Sequence, residues 1–295
     1  MEKISKFSIL ASFFALWLVS YLSTNSQIIL GFLMIFSFGI LHGANDLMLI
    51  LNLKRREKSI SFVKILIYYI LLVFFGIISF YFYPFLALLF FVIISCYHFG
   101  EQQFQIFEKY VVNWLCKILQ IIYGSFIFII IFNFHLLEVQ KIIFEISKTF
   151  IPIIYFETAL KIIISILIVL FLYLYIYVKK LRNQVLLEVF YLLVLTIIFM
   201  VSSLIWGFAI YFIIWHSIPS ILDQMKFLYG NNELSNFKQY FKSAFWYWIF
   251  SLLGIMILYL IFEDQKIFNA LFFSFLAAIT FPHVLVIINM FRTKN

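Results

Sequence analysis

Long apolar runs recur from one end of the chain to the other, and they limit it to one class of fold. A membrane-spanning helix needs about 20 predominantly apolar residues. Runs of roughly this length lie near residues 5–22, 28–51, 60–82, 84–99, 111–134, 158–178, 185–203, 204–222, 243–262 and 267–291. Because they show no strand alternation and little proline or glycine, helices are the spanning structure that they favour. The sequence therefore predicts an all-α fold, a polytopic membrane helical bundle of about ten transmembrane helices, or nine if the seventh and eighth runs are one.

The composition excludes the main classes of soluble protein. Hydrophobic residues make up 65% of the chain and charged residues 12%, against about half and about a quarter in soluble domains. The net charge of +8 comes largely from short loops, where a positive-inside bias explains it without nucleic acid. Cys96 and Cys116 lie within apolar runs at no metal-site or redox spacing, so they are interpreted as packing residues. The aromatic content of 22% fits a codon bias, or a pocket for a large apolar ligand.

Basic residues in the connections predict the orientation in the membrane. They are Lys3 and Lys6 before the first run, Lys54, Arg55, Arg56 and Lys58 after the second, Lys179, Lys180 and Arg182 after the sixth, Lys226, Lys238 and Lys242 after the eighth, and Arg292 and Lys294 after the tenth. With ten spans all of them lie on one side, which predicts that both termini are cytoplasmic and that the chain is a multi-pass protein of the cell inner (cytoplasmic) membrane. We expect residues 1–295 to form a single integral-membrane domain, with the mixed-charge segment 135–157 as an interfacial amphipathic segment.

Four histidines lie inside apolar runs, where an ionisable side chain is costly and therefore points to function. His42, His98, His216 and His283 belong to the second, fourth, eighth and tenth runs, which all cross in the same direction. Their imidazoles are predicted to converge at similar depth, whereas His135 lies at the opposite side. Imidazole suits Zn, Cu, Fe and Ni. A metal site is the interpretation we favour, and the alternative is a scatter of histidines that each pack separately.

Carboxylates follow three of these histidines at helical spacing. Asp46, Glu101 and Asp223 come four, three and seven residues after them, which places each on the same helix face as its histidine. They can accept the second N–H of a ligating imidazole, bind a metal themselves in a dinuclear site, or lie as charges at helix ends. Pro219 and Pro282 lie close to the last two histidines and predict helix kinks there.

The strings around the histidines resemble a known family. They are His42-Gly43-Ala44-x-Asp46, His98-Phe99-Gly100, His216-Ser217 and Pro282-His283. In this order, over most of the chain, they are similar to the Brp/Blh family of bacterial and archaeal β-carotene 15,15′-dioxygenases. Two positions depart from the family pattern. Ser220 stands where the family is associated with a second histidine after the His-Ser pair, and Gln102 and Gln103 stand where an aspartate often follows the His-aromatic-Gly string.

The resemblance implies a membrane-embedded non-haem iron dioxygenase that cleaves the central double bond of β-carotene with O₂ and yields two all-trans-retinal. It implies Fe(II) as cofactor, held by His42, His98, His216 and His283. If the second histidine is a ligand in relatives, His283 or a carboxylate takes its place here. The expected hydrogen-bonding neighbours of the ligands are Asp46, Glu101, Ser220 and Asp223, and the expected walls of the substrate pocket are Tyr97, Phe99 and Trp215. The partners would be β-carotene or a related carotenoid, O₂ and the lipid bilayer, and the product would supply a retinal-binding protein.

Two other functions fit the same residues. A secondary transporter also needs buried His and Asp side chains in a ten-helix protein, but transporters often show internal repeats, and no repeat is evident here. A non-catalytic carotenoid-binding accessory protein is the other alternative, which the departure at Ser220 keeps open.

Overall fold

A computed structural model describes residues 2–55, 62–261 and 265–292. Within these residues the chain is helical and has no strand, which confirms the all-α, polytopic helical fold. The α-helices are α1 (Glu2–Val19), α2 (Thr24–Met34), α3 (Asp46–Arg55), α4 (Phe62–Phe82), α5 (Pro84–Gln103), α6 (Asn113–Phe134), α7 (Leu136–Ser147), α8 (Ile153–Tyr177), α9 (Arg182–Val201), α10 (Leu204–Ile210), α11 (Ile218–Tyr229), α12 (Leu234–Ile261) and α13 (Gln265–Arg292). Two π-helical segments, Ile35–Gly39 and Tyr211–Ser217, interrupt this series.

The predicted membrane spans have direct counterparts. Among the described residues, eight helices are long and apolar enough to cross a membrane, and they correspond to the last eight apolar runs of the sequence. The first two runs form shorter apolar helices, Ser5–Val19 and Thr24–Gly39. The chain is therefore a multi-pass membrane protein, whereas its orientation and the identity of the membrane remain predictions. Three of the basic residues used for that orientation, Arg56, Lys58 and Lys294, lie outside the described residues.

The second apolar run, 28–51, is not the continuous helix that its composition suggests. The π-helical segment Ile35–Gly39 follows α2, residues 40 and 41 are still helical, and a turn over residues 42–45 separates them from α3. Backbone hydrogen bonds between residues three apart in sequence stabilise this turn. They run from Gly43 N–H to the Ile40 carbonyl at 3.2 Å and from Asp46 N–H to the Gly43 carbonyl at 3.3 Å. The break falls on the polar string that contains His42, so this histidine lies on a turn and not inside a regular span.

The chain divides into two compact units, each assembled from separate segments. Unit 1 contains Met1–Met34, Val92–Lys141 and Phe150–His216, and unit 2 contains Ile35–Phe91, Ile142–Thr149 and Ser217–Asn295. The division passes through α5, whose first residues belong to unit 2 and whose last residues belong to unit 1. The single domain expected over residues 1–295 remains a prediction.

In unit 1, the end of α5 lies directly against α6. A Cβ atom on Gly100 would overlap the backbone carbonyl of Gln120, and one on Gly124 would overlap the backbone carbonyl of Cys96. Only glycine lets two helices approach this closely. The rest of the unit is built by α6 against α8 and α9, by α10 against α2, and by α1 against α9. The close contact between α5 and α6 buries the turn of α5 that carries His98.

In unit 2, α13 packs against α4, α3 and α12, and α11 packs against α12 and α3. A Cβ atom on Gly76 of α4 would lie 3.0 Å from Cα of Ala278 in α13, so these two helices also approach closely. Two apolar clusters fill the unit: Leu41, Ile221, Met225, Tyr240 and Ala244 form one, and Leu49, Val286, Ile287, Met290 and Phe291 form the other.

Two of the four prolines begin helices. Pro84 starts α5 and Pro152 precedes α8, where the missing N–H has no intrahelical partner in any case. Pro219 lies in the first turn of α11, which continues the π-helical segment Tyr211–Ser217 without a break, and a kink there remains a prediction. Pro282 lies inside α13 and removes the hydrogen bond that its N–H would give to the Ala278 carbonyl.

The segment 135–157, predicted to lie at the membrane interface, contains α7. Glu138 and Lys141 lie on this helix, and burial raises the pKa of Glu138 while Lys141 opposes the shift. Its location at the interface remains a prediction.

Candidate functional site

All four candidate ligands are buried. The exposed fraction is 5% for His42, 2% for His98, 1% for His216 and 5% for His283. Unit 2 contains His42 and His283, and unit 1 contains His98 and His216. Each unit therefore holds one pair of candidate ligands.

The pair in unit 2 brings together the turn after α2 and the middle of α13. The ring centroids of His42 and His283 are 4.7 Å apart, with the rings nearly perpendicular. Nδ1 of His42 is hydrogen-bonded to the Gly39 carbonyl, and Nδ1 of His283 lies 2.8 Å from Oδ1 of Asp46. Since a carbonyl and a carboxylate accept hydrogen bonds, the neutral form of each ring carries its proton on Nδ1. Both rings therefore present the lone pair of Nε2, which is the atom that binds a metal.

The pair in unit 1 lies at the end of α5 and in the second π-helical segment. The ring centroids of His98 and His216 are 4.6 Å apart, at an interplanar angle of 80°. The Phe99 ring lies 4.6 Å from that of His216, and the Phe212 ring stacks on His216 at 5.7 Å. Gln102 Nε2 donates to the His216 backbone carbonyl at 3.2 Å. In this pair, His216 therefore has aromatic rings beside its imidazole and a hydrogen bond at its backbone carbonyl.

Asp46 contacts a different histidine from the one expected. Its position one turn after His42 suggested that it accepts the N–H of that ring. In the structure its Oδ1 lies 2.8 Å from Nδ1 of His283, which is 237 residues away in sequence. The two residues meet because α13 packs against α3. The Gly39 carbonyl takes the place that was expected for Asp46 beside His42.

The three other expected neighbours have different surroundings. Glu101 is buried and accepts a hydrogen bond from the Tyr97 hydroxyl at 3.0 Å. Ser220 is buried in α11, and its Oγ accepts from Gln224 Nε2 at 3.1 Å. Asp223 is partly buried on the same helix. None of these contacts is with a ring nitrogen of a candidate ligand, so their roles beside a metal remain predictions.

His135 belongs to neither pair, as the sequence indicated. His135 directly follows α6, and its Nε2 is 3.1 Å from the Phe199 carbonyl of α9. Burial lowers the pKa of His135, and the hydrogen bond with Phe199 opposes this shift.

Comparison with known proteins gives one family. The family model described as beta-carotene 15,15'-dioxygenase matches residues 33–291 of the 295. The chain belongs to this family. The matched range contains all four candidate ligands, and membership implies an enzyme of the carotenoid dioxygenase type acting on β-carotene. No curated protein and no solved structure matches the chain significantly.

The donor set of this β-carotene dioxygenase family member fits a metal ion. The buried histidines of each unit, His42 and His283 in unit 2 and His98 in unit 1, offer ring nitrogens that can bind a metal ion. Imidazole is a ligand of redox-active metals such as iron. The Asp46 carboxylate on Nδ1 of His283 is the kind of outer contact that orients a ligating imidazole and raises its basicity.

The three rings expected to line the substrate pocket are engaged with protein groups. The hydroxyl of Tyr97 donates to Glu101, and the ring of Phe99 stacks on that of Phe128 at 5.4 Å. Trp215 donates through Nε1 to Oγ of Ser12 at 2.9 Å. Their contact with a carotenoid remains a prediction.

A group of polar residues that sequence reasoning missed supports the turn of His42. Gln224 Nε2 donates to the His42 carbonyl at 2.8 Å, and the Tyr240 hydroxyl donates to Gln224 Oε1 at 2.8 Å. Asn45 Nδ2 donates to the Tyr240 carbonyl at 2.9 Å. Gln224 and Asn45 have no exposed surface. An amide side chain inside an apolar run was the available signal, since such a group needs partners when it is buried.

Proposed function

We propose that this protein is a non-haem iron dioxygenase that cleaves the central double bond of β-carotene and yields two all-trans-retinal. Membership of the β-carotene 15,15'-dioxygenase family supports the substrate and the reaction. The observation that carries the proposal is the pairing of buried histidines, His42 with His283 and His98 with His216, in a membrane protein. We propose the cell inner membrane as its location.

The four imidazoles are the proposed iron ligands. Neutral nitrogen donors suit a ferrous ion, and four histidines satisfy it without a thiolate. Fe(II), when bound, supplies the activation of O₂. The His216-Ser217 string has no second histidine after it in this chain because Ser220 stands there, and His283 is the proposed substitute.

The groups around the proposed ligands orient the imidazoles and exclude water. Asp46 and the Gly39 carbonyl hold the protons on Nδ1 of His283 and His42, which keeps both Nε2 atoms available. Phe99 and Phe212 surround His216 with apolar rings, which exclude water and offer flat surfaces to a conjugated chain. In the proposed reaction each oxygen atom of O₂ ends on one of the two carbons of the cleaved double bond, so no further reductant is required.

Expression in a bacterial host that makes β-carotene tests the proposal. We expect the cells to lose their orange colour and to form all-trans-retinal, measured by chromatography of extracted pigments. The purified protein should contain iron by elemental analysis. The variants His42→Ala and His216→Ala should lose most of the iron and of the retinal, because each removes one member of a pair.

His135→Ala is the matched control, since it removes a histidine that belongs to neither pair. It should retain iron and retinal formation. Unchanged carotenoid with bound pigment would instead indicate a non-catalytic carotenoid-binding protein. A wild-type protein without iron, or full iron in His42→Ala and His216→Ala, would exclude the proposed ligands.

A further inference from the structure

Asp46 is held from two sides. Its Oδ1 lies 2.8 Å from Nδ1 of His283, and its Oδ2 accepts a hydrogen bond from the Tyr69 hydroxyl at 2.8 Å. Asp46 is 1% exposed, so protein groups must satisfy both of its oxygens. The three residues come from α3, α4 and α13, and all belong to unit 2.

Helix packing brings these three residues together. Two helical turns after Tyr69, Gly76 of α4 lies against Ala278 of α13 at a distance that leaves little space for a side chain. This close crossing lies five residues from His283. This contact fixes the position of α4, which carries Tyr69, relative to α13, which carries His283.

The hydrogen bond from Tyr69 affects how the Asp46 carboxylate is oriented toward His283. A carboxylate in the first turn of a helix is ordinarily attracted to the free N–H groups at that end of the helix. The Tyr69 hydroxyl gives Oδ2 of Asp46 a donor of its own and leaves Oδ1 directed at His283. A His283 ring that keeps its proton on Nδ1 presents the lone pair of Nε2.

We propose that Tyr69 is a positioning residue for the metal ligand His283, acting through Asp46. This inference rests on the proposed iron site and adds to it a residue that lies outside every histidine string of the sequence. Tyr69 contacts neither iron nor carotenoid in this proposal. It fixes the rotamer of Asp46, and thereby the tautomer and orientation of one ligand.

Metal affinity of the purified protein tests this role. The variant Tyr69→Phe removes only the hydroxyl oxygen. We expect it to weaken Fe(II) binding about 10-fold, at the lower end of the effect of outer contacts on metal affinity. Titration with Fe(II) against a chelator measures the affinity, and the visible absorption of Co(II) in the same site reports the altered ligand geometry.

Tyr68→Phe is the matched control, because Tyr68 is the preceding residue of α4 and is 63% exposed. It should bind Fe(II) and Co(II) like the wild type. A double-mutant cycle tests the route through Asp46. If Tyr69 acts through this carboxylate, Tyr69→Phe combined with Asp46→Asn should bind Fe(II) no more weakly than Asp46→Asn alone.

Wild-type affinity in Tyr69→Phe, or additive losses in the double variant, would overturn the inference and leave the iron site standing. A wild-type protein that binds neither Fe(II) nor Co(II) would overturn both the role of Tyr69 and the proposed iron site. If Tyr69→Phe does not yield folded protein, the pair Tyr69→Gln and Tyr69→Met decides, because only glutamine can donate to Asp46. Equal affinities in this pair would also overturn the inference.

Discussion

Glu188 shows how a carboxylate is accommodated inside a membrane-spanning helix. It lies in α9 with no exposed surface. Gln103 Nε2 donates to its Oε2 at 2.8 Å, and Gln184 Nε2 donates to its Oε1 at 2.9 Å. A buried charge or polar group is tolerated only with such partners. Since Gln103 closes the helix that carries His98, Glu188 also ties the end of α5 to α9.

Substitutions of Glu188 should therefore depend on the hydrogen bonds that they retain. Glu188→Leu leaves two amide groups without an acceptor, which we expect to lower the free energy of unfolding by about 1 kcal/mol or more for each. Glu188→Gln retains an acceptor oxygen, and the amide of one neighbouring glutamine can rotate to accept a hydrogen bond from the new amide group. Its loss of unfolding free energy should therefore be smaller. Denaturant unfolding in detergent measures both. If the two variants are equally unstable, these hydrogen bonds do not stabilise the carboxylate.

Single residues were predictable where their chemistry conflicts with their surroundings. An imidazole within an apolar run is informative by itself, which is why the four buried histidines could be selected. Their partners could not, because they come from distant parts of the chain. Asp46 was expected beside His42 but contacts His283, and Tyr69 and Gln224 were absent from every motif. Hydrogen bonds of this kind follow from helix packing, which local spacing does not encode.

At the scale of helices, the contact between α5 and α6 depends on two glycines. Gly100 of α5 and Gly124 of α6 each lie against a backbone carbonyl of the opposite helix. Both helices therefore lack a side chain where the backbone of the other approaches. The contact lies one half-turn from His98. Helix packing in this region therefore determines the position of a candidate ligand.

Gly100→Ala should disturb this crossing. The added Cβ would overlap the Gln120 backbone, which cannot yield as a flexible side chain would. We expect a loss of about 1–3 kcal/mol in the free energy of unfolding and weaker metal binding through displacement of His98. Thermal unfolding and metal titration measure these two effects.

Gly254→Ala on α12 is the matched control for this substitution. Among the described residues, no atom outside the adjoining backbone of α12 lies within 4 Å of the Cβ that it would add, and alanine favours a helix by about 1 kcal/mol over glycine. This variant should be as stable as the wild type or more stable. A Gly100→Ala protein as stable as Gly254→Ala would contradict the close crossing.

The existence of most helices was predictable, but their irregularities were not. A hydrophobic run predicts a helix because lipid leaves the backbone few alternatives. It does not predict a π-helical turn, which changes the face of every later residue by roughly 100°. The segments Ile35–Gly39 and Tyr211–Ser217 both lie beside or around a candidate ligand, and such turns are frequent at functional sites. His42 was accordingly expected within a regular helix and lies on a turn.

The surface of the molecule as a whole is that of a protein in lipid. Large apolar side chains are exposed on many helices, among them Leu10, Phe75, Tyr81, Trp246 and Leu260. Soluble monomers rarely expose extended apolar patches. This surface agrees with the mean hydropathy of +1.10 and follows from composition alone, which is why the class of protein was the most predictable property.

The orientation is the remaining property of the whole molecule, and it can be tested with single cysteines. Eight candidate spans and two shorter apolar helices total the ten crossings of the sequence prediction, which place both termini in the cytoplasm. Lys141 would then lie outside and Lys180 inside, and both are exposed. The native Cys96 and Cys116 are buried, so they should not react.

In intact cells, a membrane-impermeant maleimide should label Lys141→Cys and leave Lys180→Cys unlabelled. After the cells are lysed, both variants should be labelled, which serves as the internal control for accessibility. The expected asymmetry arises because basic loops remain on the cytoplasmic side during insertion. The reverse pattern, together with an active C-terminal alkaline phosphatase fusion, would contradict the predicted orientation. It would show either an inverted protein or, if the N-terminus is still cytoplasmic, an odd number of crossings. In the second case the segment between α2 and α3 would be the first candidate for one that does not cross, because its turn over residues 42–45 interrupts the second apolar run.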